Sequence, residues 1–122
     1  MPAAEALFAT PTEGTFPVPD IEAWLEGQPF LLRDDTGLFL LCGDGPATQF
    51  ARQRMLMEPD QPHAPVALVR IKSQAIGVHQ RCSEESLQQA RQFVEWVRDT
   101  YPCRITGPDG RDYTDSLAEA YE

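Results

Sequence analysis

The stretch SEESLQQARQFVEWVRDTY, residues 83–101, decides the fold class. Leu87, Ala90, Val94, Val97 and Tyr101 recur at 3-4-3-4 spacing, which is one stripe of an α-helix, and Phe93 and Trp96 widen it. Ser83 supplies a hydroxyl that accepts from the free N–H groups of the first turn. Glu84 and Glu85 lie in that turn and Arg98 near the other end, as the helix dipole favours. Pro102 has no N–H to continue the ladder and stops the helix. An apolar face this broad needs a sheet to cover it.

The sheet is sought in residues 29–42 and 65–79. In PFLLRDDTGLFLLC (29–42), the apolar runs Phe30–Leu32 and Leu38–Cys42 flank Asp34-Asp35-Thr36-Gly37. Glycine there supplies the positive φ a hairpin turn needs. Leu38–Leu41 shows no alternation, the pattern of a central strand covered on both sides. Val66–Lys72 alternates, with Ala67, Val69 and Ile71 on one face and Arg70 and Lys72 on the other. Ser73-Gln74 reads as a turn, and Ala75–His79 as a return strand with Ile76 and Val78 inward. Loops this short exclude crossovers, so the strands are expected to be antiparallel.

Elsewhere the signals are local. Residues 1–18, with Pro2, Pro11, Gly14 and Pro17, read as an irregular N-terminal arm docked through its aromatics. Pro19-Asp20 opens a short helix with Ile21, Trp24 and Leu25 on one side, ended by Gly27. Residues 46–58 read as a helix beginning at Pro46, with Ala47, Phe50, Ala51 and Met55 sharing a face; a strand with Phe50, Arg52, Arg54 and Leu56 on one side is the alternative. Residues 59–65 hold three prolines and read as a loop. Cys103–Thr106 and Arg111–Tyr113 flank Gly107-Pro108-Asp109-Gly110 as an edge hairpin, and Asp115–Tyr121 as a final helical turn. The expected fold is α+β: a two-layer arrangement of a mainly antiparallel sheet with one long amphipathic helix (83–101) across a face. At 122 residues this is one domain, residues 19–122, preceded by the arm.

Charge is distributed unevenly. Residues 1–32 carry five acids and no base, residues 33–108 nine of each, and residues 109–122 five acids against Arg111. The net charge of −9 therefore sits at the two ends. Such a field repels nucleic acid and anionic lipid and attracts cationic partners. No run approaches the roughly 18 apolar residues of a membrane span, and MPAAEALFATPTEGTF lacks the basic start and apolar core of a secretory signal. Three widely spaced cysteines, Cys42, Cys82 and Cys103, point to free thiols in a reducing cytoplasm.

Few residues carry chemistry. His79 and Cys82, three apart, are the candidate metal ligands, with Cys42 and Cys103 as distant partners for a tetrahedral zinc. No second close pair accompanies them, so buried small thiols and a strand-end histidine are the simpler expectation. The same His79 and Cys82 are the candidate catalytic pair, because a thiol beside a helix N-terminus has a lowered pKa. No oxyanion loop accompanies that pair either. Gly43-Asp44-Gly45 lacks the Lys-Ser/Thr of a phosphate loop, and its aspartate would repel the anion. Arg52, Arg54, Arg70, Lys72 and Arg81 would form a basic patch if their elements are neighbours, though a solvated face paired with nearby acids is simpler. Trp24 and Trp96 read as core anchors.

The function expected on this basis is a non-catalytic acidic interaction module without cofactor, binding a basic protein partner through Asp109, Asp112, Asp115, Glu119 and Glu122. Inhibitors of the immunity type and acidic adaptors or chaperones share this charge and size. A small thiol enzyme or redox-responsive protein using Cys82 and His79, and a structural subunit docking through residues 1–18, are the alternatives.

Overall fold

The computed structural model describes residues 4–28, 31–33, 37–41, 67–80 and 84–121. In chain order these form β1 (Ala6–Pro11), α1 (Val18–Glu26), β2 (Leu31–Arg33), β3 (Phe39–Leu41), β4 (Ala67–Lys72), β5 (Ala75–His79), α2 (Glu84–Thr100), β6 (Cys103–Thr106) and a 3-10 turn, Leu117–Tyr121. The strands make one sheet in the order β2-β3-β4-β5-β1-β6, and every neighbouring pair is antiparallel. The class is α+β.

The two hairpins read from the sequence are present. Leu31 pairs with Leu41 and Arg33 with Phe39 across β2 and β3, and Val69 pairs with Val78 across β4 and β5. Gly37 has φ +86°, the left-handed conformation that a side chain resists. All three residues of β3 are buried, as the absence of alternation implied. The reading of residues 46–58 and the Ser83 cap lie outside the described residues.

The arm is the main correction. Ala6–Pro11 is a strand inside the sheet, pairing Leu7 with Val78 on one side and Ala9 with Ile105 on the other. Leu7 and Ala9 are buried while Phe8 and Thr10 are exposed, so the strand period was there. It was masked because Phe8 is apolar on the solvent side and Ala9 is small on the core side. Both partners of β1 lie far along the chain, so no hairpin turn announced it.

The core takes Leu7 and Ala9 from β1, Phe39 and Leu41 from β3, Ala67 and Val69 from β4, Ile76 and Val78 from β5, and Ile105 from β6. Ala90, Phe93, Val94 and Val97 of α2 and Ile21 and Leu25 of α1 join them. Trp24 and Trp96 are half-buried rather than deep anchors: their rings stack at 4.6 Å and 11°, joining the two helices at the edge of the core. Arg33 ties β2 to α1 through Glu22 at 3.3 Å and Glu26 at 3.1 Å. No described helix is long and apolar enough to cross a membrane.

After β6 the chain turns through Gly107-Pro108-Asp109-Gly110, with Gly110 at φ +85° and its N–H donating to Gly107 O at 3.0 Å. The return is shorter than a strand: Thr106 bridges Asp112, and Tyr113 N–H donates to Ile105 O at 2.8 Å. A Cβ on Gly107 would sit 2.9 Å from the Tyr113 ring, so the turn requires glycine for space.

Candidate functional site

The topology brings the two acidic ends of the chain together. β1 pairs with β6 from Phe8↔Thr106 to Pro11↔Cys103, and Ala4 N–H donates to Ala120 O at 2.7 Å. Beyond β1, Thr12 N–H donates to Pro102 O at 3.0 Å, which sets Glu13 beside the end of α2. There an open groove is lined by Arg98, Asp99, Tyr101, Pro102, Cys103, Thr114 and Asp115. Tyr101 in that lining is held edge-on by Phe16 at 6.2 Å and Trp96 at 5.7 Å. Burial pushes the Tyr101 hydroxyl above its ordinary pKa, and the Asp20 carboxylate of α1 adds to the shift. Carboxylates from the N-terminal segment, the end of α2 and the C-terminal segment thus meet at one end of the sheet.

The four described C-terminal acids do not form one cluster. Asp109 Oδ1 accepts from Arg111 N–H at 3.0 Å and organises the turn. Asp112 Oδ1 accepts from Thr114 N–H at 2.8 Å, and its other oxygen pairs with Arg104 at 3.3 Å. Hydrogen bonds from the Thr114 hydroxyl and N–H, with Arg104 nearby, hold the Asp112 carboxyl below its ordinary pKa. Glu119 pairs with Arg111, and Glu122 lies outside the described residues. Among the described acids of the set, Asp115 lines the groove. Asp99 lines it as well, paired with Arg98 at 3.1 Å, and Asp20 lies close enough to raise the Tyr101 hydroxyl. No sequence spacing links these residues; the fold of α2, β6 and its return does.

Of the thiols and imidazoles named as candidates, His79 and Cys103 are the described ones, and they lie apart. His79 ends β5 opposite Ala6, with its side chain exposed on the outward face. Cys103 opens β6 opposite Pro11, at the other end of β1 and on the core side. Its thiol donates to Val97 O at 3.9 Å, and burial pushes its pKa up despite Arg98 nearby. Cys82 and Cys42 lie outside the described residues. Among the described residues no three His, Cys, Asp or Glu side chains converge as a metal site would require.

The second surface is the outward face of the sheet. Phe8, Leu38, Leu68, Arg70, Gly77 and His79 line a groove of about 290 Å³ there. Arg70 and Lys72, two members of the expected basic patch, project from this side of β4; Arg52, Arg54 and Arg81 lie outside the described residues. Compared with protein-family models, curated proteins and solved structures, the chain matches none.

Proposed function

We propose that this chain is a non-catalytic interaction module, an inhibitor of the immunity type or an acidic adaptor or chaperone, that engages a basic protein partner. The observation that carries this is the β1–β6 pairing together with the Ala4–Ala120 hydrogen bond, which brings the start of β1 beside the end of the C-terminal 3-10 turn. Pooled carboxylates raise the local potential more than the same charges spread out, and so accelerate encounter with a cationic surface. Asp20, Asp99 and Asp115 around Tyr101 form the centre of the surface. A lysine or arginine of the partner would lie over the Tyr101 ring with carboxylates at its rim.

The scaffold proposed for this surface is two-layered, with the long amphipathic helix α2 across one face of the sheet. Phe93, Val94 and Val97 share a tight apolar void with Leu7, Ile76 and Ile105, which supports that arrangement. The setting proposed is a reducing cytoplasm, where Cys103 stays a free thiol.

Capture of a partner from source lysate at low salt, followed by association kinetics, tests this. Replacing Asp20, Asp99 and Asp115 together by asparagine should slow association several-fold at low salt. Added salt should erase the difference, since exposed charges are screened over about 10 Å at 0.1 M. An unchanged rate in a variant that precipitates more readily would leave solubility as the role of the acids.

A further inference from the structure

We propose that the outward face of the sheet is a second docking surface, built for an acidic amphipathic segment of a protein partner. It shares no residue with the acidic groove and stands or falls separately.

Register defines this face. Leu68, His79 and Ala6 stand in one row, Arg70, Gly77 and Phe8 in the next, and Lys72 and Ala75 in a third. Phe8 is 42% exposed and is the one large apolar side chain so exposed among the described residues. Its ring lies against Gly77, where a Cβ would be 3.8 Å away, so the missing side chain leaves the floor between Phe8 and Leu68 open. An aromatic set in an apolar groove is the usual anchor of a protein contact.

Charge names the occupant. The outward positions of the described strands hold Arg70, Lys72, His79 and Arg104; the carboxylate at that edge, Asp112, is bridged to Thr106 and taken up by Arg104 at 3.3 Å, some strands away from Arg70 and Lys72. Arg33, Arg91, Arg98, Arg104 and Arg111 each pair with an acid. Arg70 and Lys72 are the described cations without an ion pair. In a chain with 19 acids and 10 bases, leaving two cations unpaired beside an exposed phenylalanine is what an acidic ligand would use. A symmetric second copy would set Arg70 and Lys72 against their own counterparts.

The probe is a helix-forming peptide with leucines at i, i+3 and i+7 flanked by glutamates, titrated into the intact ¹⁵N-labelled chain. A peptide with lysine at each glutamate position is the control. Shifts should centre on Phe8, Leu68 and Gly77, and the acidic peptide should bind at least tenfold more tightly. Phe8→Ser and Arg70→Glu should each weaken it at least tenfold with the melting temperature unchanged, and Arg70→Gln should fall between. The Asp20, Asp99 and Asp115 variant should bind the acidic peptide at least as well as wild type. Equal binding of the lysine peptide, or no effect of Arg70→Glu, would overturn the proposal. So would oligouridine taking the same face, a dimer in solution that Phe8→Ser dissociates, or contacts from residues 42–66 to the Phe8 ring in the free chain.

Discussion

The Tyr121 hydroxyl donates to Gln80 Oε1 at 2.6 Å, joining the last turn of the chain to the end of β5. Gln80 is 3% exposed and uses its other polar atoms as well. Its Nε2 donates to Ala4 O at 3.1 Å and its backbone N–H to Glu5 O at 2.7 Å. One buried amide thus holds the start of β1 and the C-terminal 3-10 turn in place, and with them the two acidic ends.

Tyr121→Phe keeps the ring and removes the donor, leaving Gln80 Oε1 unsatisfied. The expected loss is about 1–3 kcal/mol of stability, because a buried acceptor without a partner forfeits its solvation. Chemical denaturation measures it. Hydrogen exchange should quicken at Ala4 and Glu119 more than in β4.

Val94 lies in the middle of the buried stripe of α2, 3% exposed. Val94→Asp sets a carboxylate among Leu7, Ile76 and Phe93, and should cost several kcal/mol, of the order of a small domain's whole stability. A soluble variant melting within a few degrees of wild type would mean that α2 does not cover the sheet.

Acid should loosen the C-terminal hairpin. The Asp112 carboxyl is held below its ordinary pKa by Thr114 and Arg104. A depressed carboxylate contributes stability that is complete above the unfolded value, about 3.9 for Asp, and is lost as pH falls through the folded one. Asp112→Asn should therefore flatten the stability profile below about pH 4, where the free carboxyl of Asp would begin to protonate. NMR titration of the Asp112 carboxyl checks the direction independently.

Cys103 should be inert in the native state. Its thiol is buried against Val97 O with its pKa pushed up by that burial, and the thiolate is the reactive form. Alkylation at neutral pH should be far slower than for a free cysteine and should accelerate on unfolding. A rapid native-state reaction at Cys103 would contradict the packing of β6.

The hairpins and α2 were legible because their signals are local: a turn with the required glycine, and a period of 3.6 or 2 over consecutive residues. β1 was not, because Phe8 on the solvent side and Ala9 on the core side blur its alternation, and its partners are some 70 and 95 residues away. The acidic site inherits that failure. The charge imbalance of the ends was plain, but only the fold joins Asp115 to Asp99 at one groove and brings Asp20 near Tyr101. Asp109, Asp112 and Glu119 looked equivalent to Asp115 in sequence, yet each is engaged by a neighbour within eight residues.

The convergence of the acidic ends is tested most directly by ¹⁵N NMR titration of the intact chain with an arginine-rich peptide at low and high salt. Perturbations should concentrate on Glu13, Asp99, Tyr101 and Asp115, fade as salt screens the charges, and be lost when Asp20, Asp99 and Asp115 are neutralised. Shifts scattered evenly over all exposed acids, or unchanged in that variant, would contradict a single acidic surface made by β1 and β6.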